Sequence, residues 1–228
     1  MSRLLTLGKA VEGRAAAIVD RLEAGSSWAE TAEAFGVRPI DVLASLAVDA
    51  LGGEGRSPLP LVRSAPRRPR LVAALNEFAL ADFGPTGSAG RPQRLALAAG
   101  LLQMVDFWEE SHHAAQLADD LGETAFSAYW HGIAHRREPD PGNANYWFRR
   151  VGRHPLLEPI AEAVRPILTD AGVSLDEYLD RNVWKPTSLV DLARRARPGS
   201  AEESPALELQ RVEISVLLDA TAQAVGIG

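Results

Sequence analysis

The chain has 228 residues, of which 46% are hydrophobic and 24% charged, with a formal net charge of −6 and no cysteine. That is apolar material enough for one good-sized domain with an appendage. The missing cysteines exclude disulfides, thiolate zinc sites and a cysteine nucleophile, and the acidic balance argues against a surface given over to nucleic acid.

The opening MSRLLTLGKAVEGR lacks the apolar core of about 7–15 residues that marks a secretory signal. No run approaches the ~20 apolar residues of a spanning helix. A cytoplasmic protein without a membrane partner is the expectation. Charge is unevenly spread: residues 1–55 carry a net −3, residues 56–70 (RSPLPLVRSAPRRPR) a net +5 from five arginines, and residues 71–228 a net −8. Pro58, Pro60, Pro66 and Pro69 oppose both helix and sheet. Residues 56–70 therefore read as an extended basic linker between an N-terminal unit, 1–55, and an all-helical domain, 71–228.

The N-terminal unit predicts three short helices. The first, from about Arg14 to Glu23, stops at Gly25. Ser27-Trp28-Ala29-Glu30 is a capping-box pattern that opens the second, which runs to about Phe35. Pro39 suits the first position of the third. The stretch from Arg21 to Leu51 thus looks like a helix-turn-helix unit, and it resembles the C-terminal half of a family of small antitoxin-like proteins. A recognition helix needs Arg, Lys, Asn or Gln to reach phosphates and base edges. PIDVLASLAVDAL offers none of these and adds Asp41 and Asp49, so DNA binding is disfavoured against a packing or dimerisation module.

From Pro69 onward the apolar spacing is helical. Helices are expected from Pro69 to Phe83, ended by Gly84-Pro85, in one long run from about Gln93 to Asp119, and from Glu123 to Arg137. Further helices follow over Asn143–Val151, from His154-Pro155 to about Leu168, from a second capping box at Ser174-Leu175-Asp176-Glu177 to about Asn182, over Pro186–Arg197 and over Leu207–Val225. No alternation suggests strands, and Walker, GxGxxG and GxSxG motifs are absent. The fold class is all-α: a helical bundle or orthogonal helical array with a small N-terminal trihelical unit.

The stretch WHGIAHRREPDPGNANYWFRRVGRHP, Trp130 to Pro155, resembles the signature of an uncharacterised family of helical proteins. Glu110-Ser111-His112 with Gln116, Trp184-Lys185-Pro186 and Leu217-Leu218-Asp219 fit the same pattern, so the resemblance covers roughly residues 72–228. It implies a helical domain and a place to look for a site, not an activity.

All five histidines, at 112, 113, 131, 135 and 154, fall in that neighbourhood. At about 100° per residue, His131, His135 and Glu138 lie at roughly 0°, 40° and −20° and share one helical stripe. On the preceding helix Glu109, His112 and Gln116 are similarly grouped, and Glu109-x-x-His112 has the spacing of carboxylate di-metal sites. The candidate metal ligands are Glu109, His112, His131, His135 and Glu138, for Zn, Fe or Mn. His131, His135 and Glu138 are the candidate acid–base residues. The alternative is that His131 and His135 are buried histidines bonded to carbonyls or to Glu138 and Asp140.

A second cluster is basic and aromatic. Arg136, Arg137, Arg149 and Arg150 surround a loop with Asn143, Tyr146 and Trp147, a set suited to a small anionic molecule through guanidinium forks and ring stacking. Its alternative is an internal ion-pair lattice. Three functions follow: a pocket for a small anion with a divalent metal, serving metal-assisted hydrolysis or oxidation if catalytic; a ligand-sensing or antitoxin-like regulator; or a structural interaction protein. Homo-oligomerisation is open in all three.

Overall fold

A computed structural model describes residue 11 and residues 13–51, 58–66, 68–80 and 90–226; the side chains of residues 78–80 are outside the description. Among the described residues there are twelve helices and one hairpin of two two-residue strands, which establishes the all-α class. None of these helices is long and apolar enough to cross a membrane.

The N-terminal helices are α1 (Ala15–Glu23), α2 (Trp28–Phe35) and α3 (Pro39–Leu51). The capping box forms as its spacing requires: Glu30 N–H donates to Ser27 Oγ at 3.2 Å and Ser27 N–H to Glu30 Oε2 at 2.8 Å. Gly36 ends α2 in the left-handed conformation, at φ +61°. Helix α3 is buried on nearly all sides, Ile40, Val42, Leu43, Leu46 and Ala47 among its core residues. Ten of its thirteen residues are buried, so little of α3 is left on the surface.

The prolines keep residues 58–66 out of helix and strand, as expected, and this extended segment is a strap bound into the fold. Leu59 and Leu61 are buried. Gln210 donates to the Leu59 carbonyl at 3.0 Å, and Arg63 N–H donates to the carbonyl of Arg137 at 2.8 Å. Just beyond the strap, Arg68 reaches back to Asp20 (2.6 Å), Glu23 (3.2 Å) and Asp49 (2.8 Å). Trp28 on α2 donates to the carbonyl of Ala74 on α4 (Leu71–Leu80) at 2.5 Å. One continuous core thus runs through the expected boundary. Residues 81–89, with the Gly84-Pro85 stop, lie outside the described residues.

The long helix expected from Gln93 to Asp119 is two helices, α5 (Arg91–Met104) and α6 (Trp108–Asp120), folded back on one another. The break falls at Asp106, whose backbone is left-handed at φ +64°. Its buried carboxylate accepts from Arg137 Nη2 at 2.5 Å and from Ser64 Oγ at 2.8 Å. Asp and Asn tolerate this conformation better than most residues, and the buried ion pair holds it.

Helix α7 (Phe126–Arg137) is the central element, and every residue from Ser127 to Arg137 is buried. Its start is fixed by Glu123, whose carboxylate accepts from the N–H groups of Ala125, Phe126 and Ser127 at 2.6–3.1 Å. Helices α5, α6 and α8 (Pro141–Val151) surround it. Two glycines permit the close approach. A Cβ on Gly100 would stand 2.5 Å from the Trp130 ring, and one on Gly132 would stand 2.7 Å from Phe148. Pro141 in its first turn and Asp140 as its N-cap start α8, with Asn143 N–H donating to Asp140 Oδ1 at 3.0 Å.

The remainder is α9 (Leu157–Asp170), α10 (Leu175–Tyr178), the hairpin β1 (Leu179–Asp180) and β2 (Val183–Trp184), α11 (Pro186–Arg195) and α12 (Glu203–Ala224). The second capping box does not form, because Ser174 makes no side-chain cap bond. The helix it was expected to open stops after one turn, and the chain pairs Leu179 with Trp184 so that Trp184 is buried beside Tyr178.

Candidate metal centre

Helices α6 and α7 turn imidazoles toward one another. His112 Nε2 and His131 Nε2 are 2.8 Å apart, and His135 joins them so that one ligand atom from each of the three lies within 4.8 Å of the others. The i, i+4 spacing of His131 and His135 stacks their rings, with centroids 5.1 Å apart at 15°. His131 and His135 are buried and His112 is half-buried.

Aromatic rings wall the cluster. Trp147, from α8, stacks on His131 with centroids 3.8 Å apart and planes at 12°. Trp108, one turn before His112, stacks on that ring at 5.0 Å and donates its Nε1–H to the Ala134 carbonyl at 2.7 Å. Each tryptophan is covered by an arginine: Arg150 lies 4.9 Å over Trp147, and Arg63 of the strap 4.3 Å over Trp108.

These surroundings determine the charge state. Burial, and then the neighbouring His112 and His135, push His131 down to about 3, while burial and His135 lower His112. Both are neutral near pH 7 and present nitrogen lone pairs. His135 Nδ1 bonds Glu138 Oε2 at 2.9 Å, leaving Nε2 for the cluster. That is the arrangement in which a carboxylate orients a ligating imidazole and raises its basicity. Glu138 also belongs to a second close group, with His135 and Asp140.

By its chemistry and spacing this donor set could hold a metal ion. Nitrogens at about 2.0–2.1 Å from one ion stand roughly 2.9–3.4 Å apart at right or tetrahedral angles. The His112–His131 separation of 2.8 Å lies just below that range and opens with a small rotation of either ring. His131 Nδ1 is buried without a hydrogen bond, so His131 has no outer partner comparable to Glu138.

Other expected residues are placed elsewhere. Glu109 is exposed and lines a separate groove with Asn76, Leu95 and His113, so the Glu-x-x-His pair does not converge. Position 109 lies about 60° around the helix from His112, which is enough to carry it out of the α6–α7 interface. Glu138 bonds the outer nitrogen of His135 instead of the inner cluster. The anion-binding set is dispersed. Arg136 is buried with Nη1 2.6 Å from Glu213 Oε2, and Arg137 is buried against Asp106 and the carbonyls of Gln103 and Pro60. Arg150 pairs with Asp119 at 2.9 Å, Asn143 Nδ2 donates to Asp140 at 2.7 Å, and Arg149 and Tyr146 are exposed. Trp147 serves His131.

Trp108 and Arg63 escaped the sequence reading. Trp108 had a usable signal, since it stands four residues before His112 on one helical face. Arg63 had none, because its place depends on how the strap docks. Ser111, beside His112, is a packing residue whose buried hydroxyl donates to the Ala99 carbonyl at 2.8 Å. Compared with models of protein families, with curated proteins and with solved structures, the chain matches none.

Proposed function

We propose that the α6–α7 interface holds a divalent transition metal, zinc, iron or manganese, on His112, His131 and His135, with Glu138 orienting His135. The observation that carries this reading is the convergence of three imidazoles, two of them held neutral by burial, with one ligand atom of each inside a 4.8 Å group. Three protein nitrogens leave coordination positions for a small anionic ligand or water. Such a centre would supply Lewis-acid hydrolysis with zinc, or oxidation with iron or manganese. The chain's own residues contribute the neutral donors, the aromatic walls of Trp108 and Trp147, and the carboxylate behind His135.

The test is elemental analysis of protein purified without a histidine tag. About one metal per chain is expected, and it should be lost in His112→Gln and in the double variant His131→Ala, His135→Ala with helical content retained in His112→Gln. Sub-stoichiometric metal that these substitutions leave unchanged would make the histidines packing residues and favour an interaction protein.

A further inference from the structure

The last turn of α7 sends consecutive side chains to different sides. His135 faces the histidine cluster, while Arg136, about 100° further round the helix, lines a cleft of about 480 Å³. Leu61 and Val62 of the strap and Pro139 give this cleft apolar surface. Arg194, Arg195 and Arg197, at the end of α11 and just past it, give it a basic one, and among the described residues Asp191 is its only acidic lining residue.

Arg136 is 3% exposed. Glu213 balances its charge, but Glu213 Oε1 is already taken by Tyr129 OH and Trp184 Nε1–H, both at 3.0 Å. Beyond the Nη1–Glu213 contact, Nε and Nη2 of Arg136 carry no hydrogen bond. These nitrogens are closed off from solvent, so Arg136 stands behind the cleft wall with its charge balanced by Glu213. The other three arginines are weakly engaged. Arg195 meets Glu177 at 3.1 Å with both side chains about half exposed, and Arg194 meets Asp191 at 3.9 Å with both about 60% exposed. Arg197 donates to the main-chain carbonyl of Arg194. Exposed pairs of this kind contribute little and open readily.

We propose that this cleft is a binding site for a small molecule bearing an oxyanion group, phosphate or carboxylate. The oxyanion meets Arg194, Arg195 and Arg197, and an apolar portion lies against Leu61 and Val62. The volume suits a small organic ligand. This site is separate from the histidine cluster and does not rest on the metal reading.

The probes are phenyl phosphate and benzoate, titrated calorimetrically into the full-length protein at low salt. One of them is expected to bind saturably at one per chain, and which one identifies the oxyanion. Arg194→Gln and Arg197→Gln, both at exposed positions, should each weaken that binding about tenfold, and His112→Gln should leave it unchanged. Saturable binding by neither probe, undiminished binding by both arginine variants, or loss of binding in His112→Gln would each overturn the proposal.

Discussion

Trp147 lies flat on His131, centroids 3.8 Å apart and planes at 12°, and the two come from different helices, α8 and α7. The stack leaves the His131 ring edge as its only reactive surface, and that edge meets His112 at 2.8 Å. Trp147 thereby does two things: it excludes water from an imidazole that burial already keeps neutral, and it fixes the direction in which Nε2 points.

Acid should weaken the metal-free protein. Burial holds His112, His131 and His154 below the ordinary histidine range, His131 at about 3. As pH falls below about 6.5 the unfolded chain takes up protons that the folded one refuses, so stability falls. It is unaffected by these groups at higher pH. For His131 the loss is roughly 1.4 kcal/mol per pH unit between about 6.5 and about 3. Urea unfolding at pH 7 and pH 5 should show this decline, with a shallower one in His131→Gln. Equal midpoints at the two pH values would contradict the burial argument.

Glu138→Gln should lower metal affinity by about 10–100-fold while the helical content is unchanged, since the carboxylate touches His135 Nδ1 and no inner nitrogen. Competition with a chelator measures it. An unchanged affinity would remove Glu138 from the site.

Asp106→Asn should destabilise the fold by about 3–5 kcal/mol, because Arg137 is fully buried and would lose its balancing charge. Asp106→Gly separates the two roles of the residue. It relieves the left-handed backbone yet still lacks the carboxylate, so it should remain strongly destabilised. Recovery of wild-type stability by the glycine variant would assign the break to backbone strain alone.

Gly100→Ala should cost about 1–3 kcal/mol in spite of alanine's better helix propensity, since its Cβ would meet the buried Trp130 ring at 2.5 Å. Denaturant midpoints decide this, and a stabilised variant would mean that the ring shifts freely.

Much of the local structure was legible in the residues. Ser27 and Glu30 announced their cap, Pro39 and Pro141 their helix starts, and the stripe of His131 and His135 its inward face. What escaped depended on partners far away in the chain. The apolar spacing runs unbroken through Val105–Trp108, so nothing nearby marks the break at Asp106; its cause is Arg137, 31 residues on. Arg136 and Arg137 looked like a basic patch because Glu213 and Asp106 reach them only in the folded chain. Glu109 failed for a simpler reason. Spacing reports which residues share a face of one helix, whereas convergence also requires that the neighbouring helix meet that face.

Gln210 closes a contact with Leu59 across 151 residues, and Arg63, four residues along the same strap, is hydrogen-bonded to the end of α7 that carries His135. During synthesis the strap and all three clustered histidines emerge well before the helix that supplies Gln210. Docking of the strap against Gln210 therefore waits until that helix has been made, and a nascent chain stopped short of Glu203 would carry all three clustered histidines with the strap lacking its Gln210 anchor.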